Sequence, residues 1–182
     1  MRILIILAHP NLEQSVVNQA WLKALQTSEL RVTLHRLYQA YPQGGALDVA
    51  AEQALIREHD VIVWQFPFYW FSTPPLLKQW QDEVLTHDFA YGREPEQRQL
   101  AGKRIAMAIS AGIKQEDYAA DGRYRYTLEE LLRPLDVTIR YVHAIPMLPW
   151  VFYGAEHAIE PQQLQENAEG YLGYLRQLMQ PA

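Results

Sequence analysis

Aromatic side chains are concentrated in one short segment, where a buried strand is expected to end. Six of the eight residues from 64 to 71 are aromatic, in the order Trp-Gln-Phe-Pro-Phe-Tyr-Trp-Phe. A connecting loop normally lies on the surface and is polar. A loop of this composition therefore indicates a surface that something flat and apolar covers, either a planar ligand, a partner subunit or both.

A second segment that could bind a ligand follows the first apolar run and reads HPNLEQSVVN from His9 onwards. Ser15 is a suitable N-cap for the helix expected after it. The backbone N–H groups of Val16, Val17 and Asn18 would then be free to bind a phosphate at the helix N-terminus. His9 could add a hydrogen bond or a positive charge, although the same residues also fit a simple helix cap and turn. No glycine-rich dinucleotide motif and no P-loop lysine occurs in the sequence.

A third candidate segment contains small residues after the fourth expected strand. Ser110, Ala111 and Gly112, followed by Ile113, would let a ligand approach the backbone closely. Further side chains could donate protons or orient a substrate, namely Tyr118, Tyr124, Tyr126 and His143. Each of these, taken singly, also fits a core or surface role.

Strands and helices alternate along the chain in the hydrophobic pattern. Strands are predicted over residues 2–8, 31–37, 60–66, 103–110 and 137–145, and helices over 15–28, 49–58, 74–85, 127–135 and 161–179. For the helix over 74–85, a hydroxyl N-cap at Ser72 or Thr73 is expected before the prolines. Five βα units in series imply a parallel sheet with helices on both faces, in one domain over residues 1–182.

The strand patterns also predict the order of the sheet. The first, third and fourth strands are nearly continuous apolar runs, as strands buried on both faces should be. The second and fifth strands carry charge on one side and suit the edges. This pattern matches the flavodoxin-like order 2-1-3-4-5, a three-layer αβα sandwich whose switch point lies between the first and third strands. The loops after residues 8 and 66 meet at that point.

Composition excludes several function classes. The formal net charge of −5 and the absence of a basic run argue against nucleic-acid binding. With no cysteine, the chain has no thiolate metal site and no cysteine nucleophile. The histidine spacing predicts no metal site. The apolar N-terminus is best interpreted as a core strand, no stretch is long enough to span a bilayer, and we expect a soluble cytoplasmic protein.

These segments together resemble the flavodoxin-like NAD(P)H:quinone oxidoreductases. The matching motifs are Ala8-His-Pro, Ser15-Val-Val-Asn, Gln65-Phe-Pro-Phe-Tyr-Trp-Phe-Ser with Pro75-Leu-Leu-Lys, and Ser110-Ala-Gly. The likeness covers essentially the whole chain. It is closest to a short bacterial branch that includes the ancillary subunits of glutathione-gated potassium efflux systems.

The resemblance implies a flavin at the switch point, with FMN favoured over FAD because the chain is short. The phosphate would lie on His9, Ser15, Val16, Val17 and Asn18. The ring would contact Phe68, Tyr69, Trp70 and Phe71 and, at its other edge, Ser110, Ala111, Gly112 and Ile113. Tyr118 is the nearest match to the proton-relay tyrosine of the family. At 110–113 the chain has Ser-Ala-Gly-Ile where the family usually has Thr-Thr-Gly-Gly.

The implied reaction is a two-electron, ping-pong transfer from NADH or NADPH through the flavin to a quinone or a related electrophile. The resemblance also implies a homodimer with active sites at the subunit interface, which the apolar residues 145–153 would suit. An alternative is a regulatory subunit that docks on a membrane potassium-efflux transporter, which would place the protein at the inner face of the cell membrane. A flavodoxin-like electron carrier is disfavoured because the phosphate loop lacks a threonine-rich pattern.

Overall fold

The computed structural model describes residues 1–42 and 44–180. The strands are β1 Ile3–Leu7, β2 Val32–Arg36, β3 Val61–Pro67, β4 Arg104–Ser110, β5 Ile145–Pro146 and β6 Trp150–Phe152. The helices are α1 Val16–Thr27, α2 Leu37–Ala40, α3 Val49–Glu58, α4 Pro75–Val84, α5 Leu128–Tyr141 and α6 Pro161–Leu178. The short helix α2, which begins where the second strand was expected to end, was not predicted.

The sheet confirms the predicted order and direction. Its strands run parallel in the order β2-β1-β3-β4-β5, with β6 also paired to β4. The strands β1, β3 and β4 are buried along their whole length, because helices cover both of their faces. The register places Leu7 beside Gln65 and Pro67 beside Ser110. The carboxyl ends of these three strands therefore lie side by side.

The prediction of a fifth strand over 137–145 is wrong, because that segment is mostly the second half of α5. One face of α5 is buried at helical spacing and consists of Leu128, Leu132, Leu135 and Ile139. Burial of this apolar face stabilises the helix even though Pro134 lies inside it. A proline inside a helix removes one backbone hydrogen bond, and α5 continues past Pro134 in spite of this loss. The edge strand begins only at Ile145 and consists of two short pieces, β5 and β6, both paired with β4.

The expected hydroxyl cap of α4 is also absent. The N-cap is Pro74, which makes no side-chain hydrogen bond, and Pro75 occupies the first turn. Proline suits that position because its fixed φ matches the helix and its missing N–H is not needed there. Among residues 1–42 and 44–180, no helix combines the length and the hydropathy that a bilayer crossing requires.

Two apolar cores lie on opposite faces of the sheet. One packs α3, α4 and α5 against the sheet and contains Trp64 and Trp80, whose ring centroids are 6.4 Å apart. The other packs α1 and α6 and contains Trp21 and Tyr171, with centroids 5.0 Å apart. Burial of these large side chains on both faces supplies the main stabilisation of the fold and makes the central strands a rigid support for the loops at their ends.

A buried carboxylate joins the elements around β2. Glu52 accepts hydrogen bonds of 2.8 Å from the Tyr41 hydroxyl and 2.8 Å from Trp80 Nε1, and His35 Nε2 lies 2.9 Å from it. Burial alone would raise the pKa of Glu52, but these three partners outweigh it and lower the pKa below its ordinary value. The ionised carboxylate on α3 therefore links three other elements. It contacts β2 through His35, α4 through Trp80, and the segment that follows α2 through Tyr41.

Candidate functional site

A cavity of about 270 Å³ opens at the carboxyl ends of β1, β3 and β4. It brings together all three segments that the sequence indicated. Its lining consists of His9, Asn11, Gln14, Ser15, Val16, Val17, Pro67, Phe68, Tyr69, Ser110, Gly112, Ala155 and Glu156. The site lies where the chain reverses its winding direction between β1 and β3, the position at which open α/β sheets bind ligands.

A larger cavity of about 790 Å³ lies at the sheet edge, between α5 and residues 146–151. Its lining includes no residue of the segments 9–18, 68–71 or 110–113. Size alone does not define a ligand site, and this cavity lies away from the switch point at which open α/β sheets bind ligands. We therefore take the smaller cavity as the candidate functional site.

The N-terminus of α1 supplies the hydrogen-bond donors of the cavity. Ser15 is the N-cap, and its Oγ accepts from the Asn18 backbone N–H at 3.2 Å. The N–H groups of Val16 and Val17 make no hydrogen bond among the described residues, and both residues line the cavity. Two free N–H groups at the positive end of a 12-residue helix form a suitable site for an anion.

Asn18 differs in placement from the other residues of its segment. Its side chain is fully buried and hydrogen-bonds Ser15, Gln65 and Ser110 instead of facing the cavity. The backbone N–H of Asn18 is not free for a ligand, because it donates to the N-cap oxygen, Ser15 Oγ. Asn18 therefore stands behind the cavity wall and supports the two serines that line it.

His9 enters the cavity as a neutral imidazole. Burial lowers its pKa below the ordinary value, because the charged form is poorly solvated there. Its Nδ1 accepts the Asn11 backbone N–H at 3.1 Å, so the ring proton is on Nε2. His9 can thus donate a hydrogen bond at neutral pH. No lysine or arginine is found among the described residues of the lining, so backbone and neutral donors would hold an anion.

The residues of the aromatic loop, 68–71, lie partly in the cavity and partly on the surface. Phe68 is buried and Tyr69 is partly exposed, and both line the cavity. Trp70 is 93% exposed, and Trp70 and Phe71 have φ values of 50° and 59°. Such left-handed conformations are uncommon for residues other than glycine and tend to occur at functional sites.

Hydrogen bonds limit which N–H groups of the aromatic loop a ligand could use. The Phe68 N–H donates to the Ser110 carbonyl at 2.9 Å and the Tyr69 N–H to the Pro67 carbonyl at 3.0 Å. The N–H groups of Trp70 and Phe71 make no hydrogen bond among the described residues. Only these two remain available to meet acceptors on a ring.

The third segment forms the opposite wall. Ser110 and Gly112 line the cavity, whereas the Ala111 N–H donates to the Phe152 carbonyl at 2.8 Å. A Cβ at Gly112 would lie 2.5 Å from the carboxylate of Glu156, so a larger residue here would displace this exposed and flexible side chain. Ile113 packs against the core and has no positive φ, so the branched side chain fits where the family usually has glycine.

Tyr118 lies beside the cavity rather than in its lining. Its ring centroid is 6.3 Å from that of Phe68 and 5.7 Å from that of Tyr153. Burial, together with nearby acidic and phenolic groups, raises the pKa of its hydroxyl, so the phenol stays protonated. Tyr124 contacts Phe71 with centroids 5.4 Å apart.

The two remaining candidates are not brought to the cavity. Tyr126 is 57% exposed on the surface. His143 lies between α5 and β5, where its carbonyl accepts the Gly102 N–H at 3.0 Å. That position is near the amino end of β4, opposite the cavity.

Sequence reasoning did not single out five polar residues in or around the cavity, namely Asn11, Gln14, Gln65, Glu156 and Tyr171. Gln65 is fully buried in β3 and Tyr171 is fully buried in α6. The one available signal was a glutamine inside an otherwise apolar strand, since a buried amide requires partners. Glu156 is exposed and belongs to the cavity lining. Burial, and then the charge of Glu156, raises the pKa of Tyr69.

Comparisons with known proteins agree with the observed fold. A family model described as a flavodoxin-like fold matches residues 1–175. The chain is 43% identical to the uncharacterized NAD(P)H oxidoreductase YrkL of Bacillus subtilis, covering 97% of this chain and 98% of that protein. It is 41% identical to the glutathione-regulated potassium-efflux system ancillary protein KefG of Cronobacter sakazakii, and the match covers 99% of this chain and 94% of that protein.

A solved structure gives a similar match. General stress protein 14 of Treponema denticola, described as a complex with FMN, is 46% identical, with a TM-score of 0.89 and coverage of 98% of this chain and 100% of that one. The fold is therefore the flavodoxin-like fold that the family model describes. The chain belongs to the flavodoxin-like NAD(P)H:quinone oxidoreductase family, in the short bacterial branch that includes KefG.

Proposed function

We propose that this chain is an FMN-dependent oxidoreductase that passes a hydride from NADH or NADPH to a quinone. The observation that carries the proposal is that one cavity joins the free N–H groups of Val16 and Val17 to an apolar wall containing Phe68. A phosphate at one end and a planar ring at the other are the two features that FMN presents. The residues therefore fit this cofactor, which would supply the hydride-transfer chemistry.

The side chains of the site would bind and orient. Val16, Val17, Ser15 and the neutral His9 would donate hydrogen bonds to the phosphate. Trp70 and Phe71 would offer their N–H groups at the edge of the ring, where hydride transfer develops negative charge. Donors already fixed by the fold stabilise such charge without reorganisation at the moment of reaction.

Tyr118 is our candidate for the proton donor. Its pKa is raised, so the hydroxyl carries a proton at neutral pH and could hydrogen-bond a developing quinol oxygen. One aromatic surface used in turn by nicotinamide and quinone would give ping-pong kinetics. Phe68, Tyr69 and Phe71 form the apolar part of that surface, which suits planar substrates.

The exposure of Trp70 supports a homodimer. An indole with 93% of its surface in solvent, on a loop held in a strained conformation, is an unusual feature for an isolated subunit. A second copy that covers this loop would bury Trp70 and complete the wall of the cavity.

The test begins with the purified protein. A yellow preparation with flavin absorption bands, and mass identification of the released cofactor as FMN and not FAD, would support the proposal. Oxidation of NADH or NADPH should then depend on added quinone. Protein that is folded, colourless and unable to take up FMN or FAD at micromolar concentration would refute it.

A second candidate function is favoured by the 41% identity to KefG over nearly the whole of both chains. In that case the chain would also dock on a membrane potassium-efflux protein at the cytoplasmic face. Co-purification with such a transporter from cells that express both would support this role. Quinone turnover is compatible with either function, so the two assays are independent.

A further inference from the structure

A chain of buried hydrogen bonds runs from α6 through the sheet to the two serines of the cavity. The Tyr171 hydroxyl lies 3.0 Å from Gln65 Oε1, and Gln65 Nε2 lies 2.8 Å from Asn18 Oδ1. Asn18 Nδ2 lies 2.9 Å from Ser15 Oγ and 3.1 Å from Ser110 Oγ. Tyr171, Gln65 and Asn18 are fully buried, and none of the three lines the cavity.

The buried end determines the direction of donation along this chain. Burial raises the pKa of the Tyr171 hydroxyl, so it keeps its proton. Gln65 is its only hydrogen-bond partner among the described residues. A buried O–H without an acceptor is costly, so Tyr171 donates to Gln65 Oε1. The NH2 group of Gln65 consequently faces Asn18.

The orientation of Asn18 follows in the same way. Because its Oδ1 accepts from Gln65, its NH2 group faces Ser15 and Ser110. Each serine oxygen accepts a hydrogen bond from this group, so each hydroxyl must direct its own proton elsewhere. Neither hydroxyl donates to a described protein group, and both serines line the cavity. The cavity is the direction that remains for both protons.

We propose that Tyr171 and Gln65 are positioning residues, which orient Asn18 so that Ser15 and Ser110 present hydroxyl donors to the cofactor. This inference rests on the proposed function. It adds that both serines must act as hydrogen-bond donors toward the cofactor. The phosphate and the carbonyl oxygens of a flavin are hydrogen-bond acceptors. A pair of outward-facing hydroxyl protons suits them, whereas serines that donated inward to Asn18 would present only lone pairs.

Tyr171→Phe tests the inference, and Tyr174→Phe is its matched control. Both variants remove one tyrosine hydroxyl from α6, but that of Tyr174 donates to the Leu148 carbonyl at 2.6 Å, outside the network. Without the Tyr171 donor, the amides of Gln65 and Asn18 have no preferred direction, and the reversed orientation becomes populated. We expect Tyr171→Phe to raise the FMN dissociation constant of the apo-protein about three- to tenfold. Tyr174→Phe should leave it within about twofold.

A double-mutant cycle with Ser110→Ala separates this role from a loss of stability. In the wild type, removing the Ser110 hydroxyl should raise the FMN dissociation constant about three- to tenfold. In the Tyr171→Phe background the same change should have a smaller effect, because part of the population no longer offers that proton. Binding is measured by quenching of flavin fluorescence, with thermal unfolding of each apo-protein alongside.

The outcomes distinguish the inference from the function on which it rests. If Tyr171→Phe and Tyr174→Phe alter FMN binding alike, or if Ser110→Ala has the same effect in both backgrounds, the positioning role is wrong even though FMN binds. If the wild-type apo-protein does not bind FMN, the proposed function fails first.

Discussion

Alanine substitutions at Trp70 and Phe68 should differ strongly in their effect on the stability of the monomer, although the two residues are close neighbours in one loop. Trp70 is 93% exposed, whereas Phe68 is 7% exposed and belongs to the core on the α4 face. An aromatic side chain buries on the order of 200 Å² when fully enclosed, at roughly 25 cal/mol per Å². The small buried fraction of Trp70 then corresponds to only about 0.4 kcal/mol of unfolding free energy.

For Phe68→Ala the expected loss is much larger, about 3–5 kcal/mol, because the transfer term is accompanied by a cavity. Urea unfolding of the apo-protein, at a concentration where it is monomeric, measures both values. In the FMN-loaded enzyme, Trp70→Ala should lower quinone turnover and weaken dimerisation while the monomer keeps its stability. A loss of more than about 2 kcal/mol for Trp70→Ala would show that the indole is packed in the monomer and would refute this assignment. Unchanged turnover and an unchanged dimer would refute the interface role of Trp70.

Two further predictions concern stability. On α6, Gly173→Ala should raise the free energy of unfolding by about 0.5–1 kcal/mol through helix propensity, since a Cβ there meets nothing within 4 Å. Gly170→Ala should lower the free energy of unfolding by about 1–3 kcal/mol, because the added Cβ would lie 2.6 Å from the Trp150 ring. Chemical denaturation that gave both variants the same stability would contradict this packing. The lowered pKa of Glu52 means that its ionised form stabilises the fold above pH about 4.5 and that this stabilisation is lost as pH falls through the folded pKa. Unfolding free energy measured from pH 7 to 3 should therefore fall less steeply in Glu52→Gln than in the wild type, and equal slopes would exclude this role for the carboxylate.

The three central strands and the position of the candidate site followed directly from the sequence because their signals are local. Apolar runs such as Ile3–Leu7 can be buried only between two layers, and this requirement placed β1, β3 and β4 inside the sheet. Parallel strands bring their carboxyl ends to one edge. The three candidate segments therefore had to converge there, and the cavity lining contains residues from each of them.

The prediction of the fifth strand was wrong because the local pattern was outweighed by tertiary packing. Residues 137–143 partly alternate between apolar and polar side chains, as an edge strand would, and Pro134 inside the helix costs a backbone hydrogen bond. Burial of Leu135 and Ile139 on the helical face outweighed both effects. This balance depends on the surface against which α5 packs, and no window of sequence contains that information.

By itself, the sequence determined which segments reach the site, because strand burial and chain direction depend on local patterns. Only the tertiary structure decided what each side chain does there. Asn18 lies behind the wall, Trp70 faces solvent, and Gln65 and Tyr171, which are 106 positions apart, share a hydrogen bond. The physical reason is that burial and hydrogen-bond direction depend on partners distant in the chain, which only the packing of α1 and α6 on the sheet brings together.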